Sequence, residues 1–107
     1  MIGDGQKLMI THTVAFKTCH PIGSDEEIDF LKAGKSLGKL SMVRNFQCYK
    51  QVSKKNEFEY GFSMQFESQV DYDSYNEHPE HMEFVKTRWK SEVEKYLEID
   101  YVHYELT

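Results

Sequence analysis

Phe58-Glu59-Tyr60-Gly61-Phe62-Ser63-Met64-Gln65-Phe66-Glu67 alternates without a break. Phe58, Tyr60, Phe62, Met64 and Phe66 fall on one side of an extended chain, and Glu59, Gly61, Ser63, Gln65 and Glu67 on the other. A period of two is the mark of a strand with one buried face. The stretch predicts a strand over 58–67, in a sheet that is dry on one side only.

Upstream, Ser53 to Glu57 is a polar loop of hairpin length. It follows a second strand over 42–52, with Phe46 and Cys48 as its expected buried pair. Further back, 7–18 reads as another strand. Leu8, Ile10, His12, Val14 and Phe16 share one parity, and Met9, Thr11, Thr13 and Ala15 the other. Cys19 to Gly23 is a turn. Ser24-Asp25-Glu26-Glu27 is a capping box, in which Ser24 and Glu27 can satisfy each other's backbone N–H. Phe30, Ala33, Leu37 and Leu40 then recur at helical spacing, and Gly34 and Gly38 would let that helix approach the sheet closely.

Downstream, Ser68 to Asp71 caps a short helix through Tyr75. Pro79 suits the first turn of a new helix. Met82, Val85, Trp89, Val93 and Tyr96 form an apolar stripe that predicts a helix over 79–97, with Arg88, Lys90, Glu92 and Glu94 toward water. A last strand is expected over 98–105. The order βαββααβ predicts an α+β, ferredoxin-like protomer: a four-stranded antiparallel sheet with helices on one face. The open face calls for a second copy packed sheet to sheet, a homodimer.

At 107 residues the chain makes one domain, expected over 7–105 behind a disordered leader at 1–6. The leader lacks the pattern of a secretory signal. No apolar run approaches the roughly 20 residues of a membrane span. A net charge of −5 with scattered Lys and Arg argues against nucleic-acid binding. Cys19 and Cys48 are too few for a disulfide framework and suit a reducing, cytoplasm-like compartment.

Chemistry is expected at Ser74-Tyr75-Asn76-Glu77-His78-Pro79-Glu80-His81. His81 lies four residues before Val85 and eight before Trp89, which puts it at the edge of the stripe, facing the sheet. Its imidazole can abstract a proton near neutrality while Tyr75 holds a carbonyl or enolate oxygen, and Asp100 could orient the second His81 nitrogen. The plainer reading makes His81 a backbone-bonded structural residue with Tyr75 packed beneath it. His78 reads as a cap. His78 and His81 without a third ligand make no zinc site, so no metal is expected, nor any cofactor. His12 is a satisfied core histidine or a polar group in a pocket. A small apolar ligand would be lined by His12, Val14, Phe16, Tyr60, Phe62, Val85 and Trp89.

His12-Thr13-Val14-Ala15-Phe16-Lys17, Phe66-Glu67-Ser68, Tyr75-Asn76-Glu77-His78-Pro79-Glu80-His81 and Asp100-Tyr101 together resemble the stress-responsive α/β-barrel (Dabb) family over about 7–104. The resemblance implies a ferredoxin-like protomer that dimerises into an α/β barrel, in a family mostly without assigned activity. One plant member is a cyclase that closes a polyketide by an aldol step. Its acid–base histidine falls on His81, its tyrosine on Tyr75 and its first-strand pocket histidine on His12. Another strand histidine meets Tyr60 here, and an apolar lining position meets Glu98. Three readings follow: a small-molecule-binding Dabb protein of undetermined activity, a cyclase or lyase acting on a ketone, and, by fold analogy, a monooxygenase.

Overall fold

The computed structural model describes residues 8–106, so the expected leader at 1–6 lies outside the described residues. Four strands, β1 (Ile10–Thr18), β2 (Arg44–Lys50), β3 (Tyr60–Phe66) and β4 (Val93–Val102), form one sheet in the order β2-β3-β1-β4. Every pairing is antiparallel. Helix α1 (Asp25–Lys35) continues into a 3₁₀ turn (Ser36–Lys39), and α2 (Gln69–Glu77) leads into α3 (Pro79–Phe84). A π-helical segment (Val85–Trp89) and one last turn, α4 (Lys90–Glu92), follow. Each half of the chain is a split βαβ unit whose two parallel strands straddle a strand from the other half.

The alternation in β1 is strict. Ile10, His12, Val14, Phe16 and Thr18 are buried beneath the helices, with the intervening residues only partly covered. Phe16 is fully enclosed, with ring centroids 5.9 Å from Phe30, 4.7 Å from Phe62 and 5.3 Å from Trp89. Burying such a ring stabilises the fold by about 1.5–3 kcal/mol.

Local signals set several element starts. Ser24 accepts the Glu27 N–H (3.2 Å), and Ser68 accepts that of Asp71 (3.1 Å). The Ser24 capping box is only half made. The Glu27 carboxylate accepts instead from the Gly23 N–H (2.8 Å) and the Tyr60 hydroxyl (2.7 Å). His78 caps α3, its Nδ1 accepting the Glu80 N–H at 3.1 Å.

Three expectations need correction. The last helix stops at Glu92, not Leu97, and Val93 is already extended (φ −95°, ψ 120°). Glu92 ends it because its carbonyl accepts the Cys19 N–H (2.8 Å), while its carboxylate is held by Arg88 and by the Nε2–H of His20 (2.7 Å). Glu92 is therefore not directed to water, and its carboxyl is held below the usual range, chiefly by the Arg88 bond. Arg88 also reaches Asp29 of α1 at 2.9 Å, locking the switch in place. Val93 and Tyr96 of the supposed stripe belong to β4, opposite Thr18 and Phe16. Cys48 is exposed rather than buried. It stands opposite Phe62 on the edge strand β2, and Phe46, the other residue of the expected pair, is only half-buried.

The glycines of the first helical stretch permit contact with the sheet. A Cβ on Gly34 would lie 2.5 Å from Cζ of Phe62, and one on Gly38 would lie 2.7 Å from Cβ of Phe46. The Phe62 ring tip can swing, whereas the Phe46 Cβ is fixed to the backbone of β2. Gly38→Ala is expected to cost about 1–3 kcal/mol by overpacking, and Gly34→Ala clearly less, in urea unfolding of the two variants side by side.

Candidate functional site

A chamber of about 440 Å³ lies between the sheet and the α3–π roof. Its floor is the helix-facing side of three strands: the buried His12 and Val14 from β1 and Phe62 and Met64 from β3, and the exposed Tyr96 and Glu98 from β4. Tyr75, His81, Phe84, Val85 and Trp89 close it from above. The π segment shapes that roof, with the Lys90 N–H bonded to the Val85 carbonyl, one residue further back than in an α-helix. Val85 and Trp89, four residues apart, share a helix face and both line the chamber, and π segments recur at functional sites.

Tyr75 is buried, 3% exposed, and its ring centroid lies 4.3 Å from that of His81. Tyr75 lines the chamber, and no described residue accepts from or donates to its hydroxyl. Burial, reinforced by the negative Glu98, pushes this hydroxyl above the usual tyrosine range, so it remains a donor. His81 Nδ1 lies 3.2 Å from the Asn76 carbonyl. A carbonyl only accepts, so Nδ1 carries the proton and Nε2 keeps a free lone pair. Burial lowers the His81 pKa, the Asn76 bond opposes that, and His12 and His78 lower it further.

Asp100 was expected to orient His81 but serves another ring. Its Oδ1 accepts from His12 Nδ1–H at 2.6 Å, and its Oδ2 accepts from the Tyr72 hydroxyl at 2.8 Å. Register explains this, because Asp100 sits directly across from His12 in the β1–β4 ladder. Of the expected lining residues, His12, Val14, Phe62, Val85 and Trp89 face the chamber. Phe16 and Tyr60 do not line it: Phe16 is sealed in the core, and Tyr60 is turned to Glu27. Burial and that bond push the Tyr60 hydroxyl up to about 12. Sequence reasoning missed Tyr72, which lies one helical turn before Tyr75, and Lys90 and Tyr96, which the overlong helix obscured. Among the described residues no three His, Cys, Asp or Glu side chains converge as a metal site.

The family model of the stress responsive A/B barrel domain matches residues 10–103. The chain belongs to that family. A Dabb family protein with a ferredoxin-like fold from Mesorhizobium loti is 46% identical, with a TM-score of 0.89 over 92% of this chain and 100% of its own. The hydroxynitrile lyase of Passiflora edulis is 17% identical, with a TM-score of 0.79 over 94% of this Dabb chain and 98% of its own. A dimeric protein of unknown function and ferredoxin-like fold from Bacteroides fragilis is 21% identical, with a TM-score of 0.67 over 89% and 96%. No curated protein matches the chain.

The lowered His81 pKa is directly measurable in this Dabb protein. Its imidazole should titrate by proton NMR with a midpoint below 6.5, because burial disfavours the charged ring. A midpoint at or above 6.5 would mean that the ring is wet and the roof open.

Proposed function

We propose that this Dabb domain binds a small, largely apolar carbonyl compound in its chamber and makes or breaks a carbon–carbon bond beside the carbonyl. One observation carries the reading: Tyr75, whose hydroxyl has no partner among the described residues, and a His81 ring whose Nδ1 is tied down line one cavity. His81 Nε2 takes a proton from the substrate, and Tyr75 donates a hydrogen bond to the oxygen on which negative charge develops. The Passiflora neighbour is named as a lyase of adducts of this kind, and its fold agrees with this one.

The test offers an aromatic cyanohydrin, read by release of aldehyde, and an aryl 1,3-diketone, read by deuterium uptake at the carbon between the carbonyls. Turnover of at least one is expected. His81→Gln and Tyr75→Phe should each lower kcat by about 10²-fold or more. The acid limb of the wild-type rate should fall below pH 6.5, since a base with a lowered pKa stays unprotonated further into acid. If neither compound turns over while both shift the tyrosine and histidine NMR signals, the chamber binds without reacting, and the catalytic half of the proposal falls.

We also infer that two copies pack through the open sheet face. Leu97, Ile99 and Tyr101 stand on that side of β4, 49%, 39% and 54% exposed, beside Thr11, Thr13 and Ala15 of β1. A sheet face this apolar is poorly suited to water, and the Bacteroides neighbour is described as dimeric. Light scattering should give twice the protomer mass for the native chain and one protomer mass for Ile99→Lys.

A further inference from the structure

Building on the proton-transfer reading above, we infer that His12 is a second proton-carrying group of the chamber, with Asp100 and Tyr72 as its positioning residues. Three observations support this. His12 is a floor residue of the chamber, 8% exposed. Its Nδ1–H is held by the Asp100 carboxylate at 2.6 Å, a charge-assisted distance, with the Tyr72 oxygen at 3.0 Å. The Tyr72 hydroxyl in turn donates to the other Asp100 oxygen at 2.8 Å, so both carboxylate oxygens are engaged. A ring fixed through Nδ1 presents Nε2 as its only free nitrogen.

Tyr75 is near both imidazoles, with centroids 6.4 Å from His12 and 4.3 Å from His81. One imidazole is on the floor and the other on the roof. Their surroundings differ in one respect that decides their roles. His12 has a carboxylate to compensate a positive ring, whereas His81 has only a backbone carbonyl. The groups facing His12 are Asp100 and Glu98 from β4, Tyr72 and Tyr75 from α2, and His81 from α3.

Cleavage of a carbonyl adduct needs two proton movements, which two rings on opposite walls can divide. The hydroxyl proton goes to His81 Nε2, and the O–H electron pair becomes the carbonyl π bond. The carbon–carbon pair leaves with the departing carbon, which takes a proton from Nε2–H of the His12 imidazolium. One proton then passes from His81 back to His12 through solvent. Nothing is oxidised or reduced.

The test uses the full chain with ¹⁵N-labelled histidine and the two probes above. In the native protein, long-range ¹⁵N–¹H spectra should show His12 protonated at Nδ1, and adding the diketone should shift its Nε2. Asp100→Asn should abolish that preference for Nδ1 and lower kcat by about 10²-fold with little change in KM, because a misplaced proton affects the chemistry more than binding. Tyr72→Phe keeps the ring stacked on Phe66 and should lower kcat by a smaller factor, about 10-fold. If His81→Gln abolishes turnover and His12→Gln leaves it intact, the inference on His12 falls and the Tyr75–His81 reading stands. A neutral His12 ring that carries its one proton on Nε2 in the native protein overturns the inference even without any turnover. If neither probe reacts, a native Nδ1 proton with an Nε2 shift on adding diketone supports His12, although the catalytic reading fails.

Discussion

The structure depends on β1 being the central strand of a sheet roofed on one side. Hydrogen bonded on both edges, by β3 and β4, β1 has no register freedom. Slipping either neighbour by one residue would turn its whole apolar row to water. That restraint fixes Val14 and Phe16 beneath the helices and places an imidazole, His12, in the same buried row. A buried polar ring needs a partner, and the register supplies one directly across the ladder in Asp100.

Much of this was legible in the sequence. The alternation in 58–67 and in 7–18 gave both central strands and the buried parity from Ile10 to Phe16, although Leu8, before β1, is exposed. Ser24, Ser68 and His78 marked helix starts through their side chains. Tyr75 and His81 were paired as candidate groups from their spacing across the Pro79 break together with the family resemblance. In each case the deciding interaction is local, or repeats with the period of its own element.

What was not legible is what long-range partners decide. Val93 to Leu97 continue a helical stripe and also alternate as a strand, and periodicity cannot choose between them. The choice falls to Glu92, whose partners His20 and Arg88 come from the end of β1 and from the roof. With β4 taken to start at 98, its register against β1 was out of reach, and so was the meeting of His12 with Asp100. A signal was present all the same. Asp is depleted in strand interiors, and an Asp within such a run implies a partner across the sheet. The error on Cys48 is of the same kind: parity gives the side of the sheet, but only the placement of the helices says how far the roof extends.

The chamber combines a rigid floor with a less regular roof. Its floor comes from three strands of one hydrogen-bonded sheet, and its roof from a helix whose turn is widened between Val85 and Trp89. Trp89 links the two, because it lines the chamber while its indole packs 5.3 Å from the enclosed Phe16 ring. The His20–Glu92–Arg88–Asp29 chain of contacts pins the far end of the roof to β1 and α1. Tyr75 and His81 sit at the other end of the roof, where α2 meets α3 at the Pro79 break.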